Sequence, residues 1–185
     1  MKENQYLGLS AYRWVLSVER SLTSGLYTLT QAQRALEQLR NVKRVVLTAG
    51  TFDILHPGHV DYLEWCKTQG DLLVVCVIGD QRTRRRKGPG RPIMKEEWRA
   101  LVVSALKPVD LVFVSNLRPF DERIINAIRP NAVVTSLDEP TKGKKIELES
   151  YFKRVHPEIR LMMRSRGSFR RKTSTRMIIQ KIKEM

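Results

Sequence analysis

Two of the three histidines in the chain, His56 and His59, fall in the string Ala49-Gly50-Thr51-Phe52-Asp53-Ile54-Leu55-His56-Pro57-Gly58-His59. The string follows an apolar, β-branched run and precedes a segment with helical periodicity. Free N–H groups and the positive dipole end make a helix start of this kind an anion site. Gly50 allows a tight turn and a close phosphate approach. Two imidazoles at such a place can donate hydrogen bonds to a phosphoryl group in transfer. A lone histidine is usually a satisfied structural residue, and a three-residue spacing also suits a metal pair. No third His or Cys stands near enough in the sequence to complete a metal set, and the coincidence of a pair, a glycine and a helix start favours phosphate chemistry.

The elements that must position this string read as an alternation. A helix is expected at about 30–40, with Thr30 as N-cap and Ala32, Ala35, Leu36 and Leu39 on one face. Strands are expected at 44–48, 72–78, 111–114, 132–135 and 159–163. Helices are expected at about 58–68, 95–106, 121–128, 145–155 and 174–183. The 95–106 helix should turn Trp98, Leu101, Val102 and Ala105 inward and stop at Pro108. The last helix carries Met177, Ile178 and Ile182, with Thr173 as a cap. The run at 72–78 is apolar without alternation, as in a strand covered on both faces. Strand then helix, repeated, predicts an α/β fold: a doubly wound, Rossmann-like parallel sheet of about five strands with helices on both faces. Ligands in such sheets bind beyond the carboxyl ends of the strands, so the residues after Thr48, Ile78, Val114 and Thr135 are the ones to watch. Residues 1–40 read as an N-terminal helical extension and 41–185 as the main domain. Tyr6, Leu7, Leu9, Tyr12, Trp14, Val15 and Leu16 in the extension could pack on the body or on a second subunit.

Composition narrows the partner class. Lys+Arg is 34 against 19 Asp+Glu, a formal net charge of +15. A field of this size favours polyanions: nucleotides, nucleic acid or anionic surfaces. Cys66 and Cys76 sit in apolar surroundings and read as reduced core thiols, with no CxxC or other metal spacing. No leader pattern and no span-length apolar run is present, so a cytoplasmic protein without membrane insertion is expected.

The string GTFDILHPGH resembles the first motif of the HxGH nucleotidyltransferase superfamily, in its cytidylyltransferase-like branch. The ADP-heptose synthase nucleotidyltransferase domain is the nearest likeness, followed by glycerol-3-phosphate cytidylyltransferases and archaeal FAD synthetases. Lys87-Gly88, Arg91-Pro92-Ile93 and Arg99 resemble the family's second phosphate-binding region. Asp80 falls where the family often has a polar residue near the nucleotide. Thr173-Ser174-Thr175-Arg176 resembles its Ser/Thr-rich third motif.

The resemblance implies a nucleotidyltransferase that moves AMP or CMP from ATP or CTP to a small phosphorylated acceptor and releases pyrophosphate. His56, His59 and Lys87 would be catalytic. Gly50, Thr51, Phe52, Asp53, Gly58, Asp80, Thr173, Ser174, Thr175 and Arg176 would bind the nucleotide. Arg91, Arg99 and Asp138 would bind the acceptor. Mg²⁺ would accompany the triphosphate, held mostly by phosphate oxygens and water. A homodimer is expected. Each role has a plainer competitor: a turn residue at Asp53, a solvated basic loop at Arg84, Arg85, Arg86 and Lys87, a surface salt bridge at Arg99, a helix cap at Ser174. Arg164, Arg166, Arg170, Arg171 and Lys172 form a second basic patch, and Trp14, Trp65 and Trp98 read as packing residues. The family's Gly-Gly-Asp after the fourth strand is Ser136-Leu137-Asp138 here, which points away from a heptose phosphate. The competing readings are a nucleic-acid-binding protein, or a nucleotide-binding regulator, on the same scaffold.

Overall fold

The computed structural model describes residues 26–39, 43–136, 142–164 and 173–185. The order of elements is β1 (Leu26–Tyr27), α1 (Leu29–Glu37), β2 (Val45–Gly50), α2 (Pro57–Lys67), β3 (Leu72–Ile78), α3 (Asp80–Lys87), α4 (Glu96–Ser104), β4 (Leu111–Ser115), α5 (Glu122–Ile128), β5 (Ala132–Ser136), α6 (Lys142–Val155), β6 (Arg160–Arg164) and α7 (Thr175–Lys183). All strand pairs are parallel, in the order β1-β4-β3-β2-β5-β6. The expected α/β sheet is present with six strands. The sixth, β1, is a two-residue edge strand beside β4, too short for its periodicity to be read.

β3 is buried at all seven positions because it lies between β2 and β4 and both its faces are covered. On one face Ala32, Leu36, Leu47, Val74, Phe113, Ile124 and Phe152 form a core. On the other, Val46, Leu63, Cys66, Val75, Ala100 and Val103 do the same. Cys66 and Cys76 are buried and free, and burial pushes both thiols up to about 12. No helix among the described residues is long and apolar enough to cross a membrane.

Three sequence expectations change. Residues Asp80–Lys87, where no helix is expected and the basic run reads as a loop, form the helix α3. The N-cap of α1 is Thr28, not Thr30; its hydroxyl accepts from the Gln31 N–H, and the Gln31 side chain accepts from the Thr28 N–H. This reciprocal pair satisfies two otherwise orphaned donors and starts the helix at Leu29, which leaves Thr30 inside its first turn. The inward face of α4 is also different. Arg99, Ala100, Val103 and Ser104 are its buried residues, while Trp98 and Leu101 are 59% and 60% exposed. An arginine that finds partners inside the protein has turned the helix against its own apolar stripe.

The sheet reverses direction at β2. The chain steps to β3 and β4 on one side, and to β5 and β6 on the other. The crevice at the carboxyl end of β2 is therefore the place for a ligand, and the histidine string leads out of it.

Candidate active site

β2 ends at Gly50, and the loop that follows is held in an uncommon conformation. Phe52 and Ile54 have φ of 50° and 55°, the left-handed region that side-chain-bearing residues rarely enter. Such a loop persists only when its surroundings over-determine it. Gly50 serves this conformation: a Cβ there would stand 2.7 Å from the Phe52 ring.

Asp53 is the hub that fixes the loop. Its carboxylate accepts from the Ile93 N–H at 2.9 Å, the Met94 N–H at 3.0 Å and Arg91 Nε at 2.7 Å. Arg91 Nη2 closes an ion pair with it at 2.6 Å. Burial alone would raise the pKa of Asp53, but the Met94 and Ile93 N–H groups and the Arg91 guanidinium outweigh it and hold the carboxyl below its usual range. The Asp53 carbonyl in turn accepts from the Thr175 hydroxyl at 2.6 Å. One residue thus joins the first loop, the segment 91–94 and the start of α7.

The histidines leave this loop onto α2. His56 is the N-cap in extended backbone, Pro57 occupies the first turn, and the His56 carbonyl accepts from the His59 N–H at 2.8 Å. The fixed φ of proline and its missing N–H suit that position. The two imidazoles stack at 3.8 Å between centroids with 24° between planes, and the Phe52 ring meets His59 edge-on at 5.3 Å. Gly58 keeps the pair compact: a Cβ would come 3.1 Å from His56 Cε1 and 3.9 Å from Thr173 Oγ1. Thr173 therefore stands near Gly58. Ser174 caps α7 by accepting from the Met177 N–H, taking the role expected of Thr173. Arg176 is exposed in the first turn.

The arginines are placed differently from the expectation. Arg99 has a side chain with no exposure. It donates to the Thr51 carbonyl, to the Met94 carbonyl at 2.9 Å and to Asp80 Oδ1 at 2.6 Å. It is neither a surface salt bridge nor turned outward to a ligand, because three internal acceptors hold its fork. Arg91 is held by Asp53. Asp80 is committed to Arg99, and its N–H donates to Glu96.

Arg86, read as a solvated residue of the basic run, reaches the Thr51 hydroxyl at 3.1 Å. Lys87 is exposed at the end of α3, followed by Gly88 at φ 89°. Arg164 pairs with Asp61 at 3.0 Å and lies over the Trp65 ring at 5.1 Å, so it locks β6 to α2. Arg166, Arg170, Arg171, Lys172 and Asp138 lie outside the described residues.

Asn116 was not picked out from the sequence. Its Oδ1 accepts from the Arg82 N–H at 3.1 Å and occupies the space that a side chain at Gly79 would need. Its signal was position, just past the carboxyl end of β4. Asn116 lines an open cavity of ≈ 460 Å³ with Asp80, Arg84, Ile93, Lys95 and Glu96.

The arrangement offers a helix N-terminus, two stacked imidazoles, threonine hydroxyls and several cations around one crevice, a setting for a polyphosphate. "Bifunctional protein HldE" of Desulfatibacillum aliphaticivorans is 43% identical over 107 residues, 57% of this chain and 22% of that protein. The protein of the same name from Syntrophotalea carbinolica is 41% identical over 137 residues, 66% of this chain and 27% of that protein. The chain spans about a quarter of the length of these curated relatives. Among solved structures, a lipopolysaccharide core biosynthesis protein from Thermoplasma volcanium aligns with a TM-score of 0.58 and 28% identity, covering 66% of this chain and 97% of that one. A pantoate-beta-alanine ligase from Francisella tularensis shares the fold alone, with a TM-score of 0.55 and 12% identity over 75% of this chain and 65% of that one. The profile of the cytidylyltransferase-like family matches residues 47–181, and the chain belongs to this family of nucleotidyltransferases.

Proposed function

We propose that the chain transfers a nucleoside monophosphate, AMP or CMP, from ATP or CTP to a small phosphorylated acceptor. An oxygen of the acceptor phosphate attacks the α-phosphorus in line. The bond from the α-phosphorus to the bridging oxygen breaks, and pyrophosphate leaves with the electron pair. No protein nucleophile takes part; the protein supplies position and charge. The observation that carries this reading is the stacked His56–His59 pair at the start of α2. In this reading both rings donate to α- and β-phosphate oxygens as charge moves onto the leaving group. Loss of one such preorganised donor typically costs about a hundredfold in rate or more.

In this reading Thr51, Phe52, Gly58 and the Thr173–Arg176 segment line the triphosphate, and Lys87 neutralises it as a mobile point charge. Arg91, Arg99, Asp53 and Asp80 act as positioning residues. The acceptor is assigned to the cavity beside the loop, where Arg84 and Lys95 are the cations on the wall. Among the described residues no group of His, Cys, Asp or Glu could hold a metal ion. Mg²⁺ is assigned to the nucleotide, held mostly by phosphate oxygens and water as part of the substrate.

The test is pyrophosphate release with each of the four NTPs and Mg²⁺ against a panel of acceptors: sugar 1-phosphates, glycerol 3-phosphate, phosphocholine, phosphoethanolamine, FMN and nicotinamide mononucleotide. Release that requires one NTP and one acceptor, and that disappears in His59→Ala, is the expected result. NTP binding with no release from any pair would overturn the reading in favour of a nucleotide-binding regulator. Tight, salt-sensitive binding of nucleic acid without release would favour the nucleic-acid reading.

A further inference from the structure

The chain leaves β3 and β4 side by side. Ile78 pairs with Ser115 in the parallel register, and the Gly79 N–H donates to the Ser115 carbonyl at 2.9 Å. Gly79 and Asn116 are therefore neighbours at the carboxyl end of the sheet, where ligands of such sheets bind. The Asn116 carboxamide lies in the space that a side chain at position 79 would take: a Cβ there would stand 2.3 Å from Asn116 Oδ1.

This placement fixes how the carboxamide is turned. The first N–H groups of a helix have no partner within it. The N-cap of α3 is Gly79, which supplies no side-chain cap. Asn116 supplies one from the neighbouring strand, since its Oδ1 accepts from the Arg82 N–H at 3.1 Å. A carboxamide carries its acceptor on one side and its two donors on the other. With Oδ1 turned to α3, Nδ2 is the group left over, and it has no hydrogen-bond partner among the described residues.

Asn116 is exposed on the wall of the cavity beside the loop. Two carboxylates of that wall already serve internal donors: Asp80 Oδ1 accepts from Arg99, and Glu96 Oε2 accepts from the Asp80 N–H. Arg84 and Lys95 add further donors to the wall. Glu97, exposed on the same wall, keeps a carboxylate for a hydroxyl or ammonium hydrogen of an occupant. The group that an amide N–H recognises is an oxygen, and a site built to hydrogen-bond one group discriminates against analogues that lack it.

We propose that Asn116 is an acceptor-binding, specificity-determining residue: with its Oδ1 fixed on α3, its Nδ2 donates to an oxygen of the phosphorylated acceptor. The proposal rests on the nucleotidyltransferase reading for the identity of the occupant.

The experiment follows the side-chain amide cross-peaks of Asn116 in ¹⁵N-labelled protein, assigned by their loss in Asn116→Asp. They should move on titration with an acceptor from the pyrophosphate-release panel. Calorimetry then gives the Kd of that acceptor and of ATP or CTP for wild type and two variants. Asn116→Ala loses both the cap and the donor, and its Kd for the acceptor should rise about tenfold, the effect of roughly one hydrogen bond. Asn116→Asp keeps an oxygen for the Arg82 N–H but sets a negative charge where the donor stood. Its Kd for the acceptor should rise about thirtyfold or more, with a melting temperature closer to wild type than that of Asn116→Ala. The Kd of the nucleotide should change less than about twofold in both, because a displaced α3 would disturb it and a lost acceptor contact would not. Cross-peaks that stay still with every acceptor would overturn the proposal. So would wild-type acceptor binding in Asn116→Asp, or equal weakening of nucleotide and acceptor, which would leave Asn116 a cap of α3 alone. Cross-peaks that move while no NTP releases pyrophosphate would uphold the site and sink the transferase reading; release with still cross-peaks would do the reverse, and neither signal would sink both.

Discussion

At the residue scale the chemistry rests on two imidazoles and the groups that keep them stacked. His56→Ala and His59→Ala should each lower kcat about a hundredfold or more with little change in melting temperature, because each removes a donor to developing charge and neither ring is a large part of the core. Steady-state pyrophosphate release and a thermal melt on the same preparation check this. Gly58→Ala is a subtler probe. Its methyl group would press on His56 Cε1 at 3.1 Å, so activity should fall while the fold survives. Asp53 adds a pH signature. Its folded-state pKa is depressed, so its stabilising contribution is complete above the unfolded carboxylate value of about 3.9 and is lost as pH falls through the lower folded value. Melting temperatures of wild type and Asp53→Asn should therefore differ most near neutral pH and converge below about pH 4. A constant gap down to strong acid would show that the carboxylate charge is not what ties the loop to residues 91–94.

At the scale of elements, Arg99 decides how α4 sits. It links α4 to the loop after β2, to the segment before α4 and to the first residue of α3. Arg99→Met would leave the Asp80 carboxylate and two carbonyls without their donor, at a cost of about 3–5 kcal/mol. A large fall in melting temperature is expected, with Arg99→Lys intermediate because one ammonium cannot span three acceptors. If Arg99→Met instead kept its melting temperature and lost only affinity for the acceptor, the phosphate-gripping role implied by the family resemblance would be restored. α7 is tied to the loop through Thr175. Thr175→Val should raise the KM for the nucleotide about tenfold, the effect of roughly one lost hydrogen bond to a buried carbonyl, with a smaller effect on kcat.

For the whole molecule the question is where the charge of +15 acts. α3 carries Arg82, Arg84, Arg85, Arg86 and Lys87 at the carboxyl end of the sheet, on the side where the crevice opens. Screening weakens long-range attraction by exposed charges. The kcat/KM for the nucleotide should accordingly fall with added salt, and the slope should be shallower in Arg84→Gln/Arg85→Gln. An unchanged slope would place the steering charge elsewhere.

The sequence by itself determined the alternation of strands and helices, because strand runs and helix stripes are local patterns set by which faces must be buried. It also determined the histidine string and its place at a helix start, since proline, glycine and the apolar run before them act within a few residues. It did not determine which way α4 faces. The period of Trp98, Leu101, Val102 and Ala105 is helical whether the stripe points in or out, and only the partners waiting for Arg99 turned it outward. It marked Asp53 as a residue that could orient the loop but could not name its partners, because the Asp53–Arg91 and Asp53–Thr175 bonds span 38 and 122 positions. Nor could it separate Arg86, which touches the loop, from its neighbours in the basic run. Those roles belong to the tertiary structure, because they depend on which distant backbone groups are left without a partner once the sheet has closed.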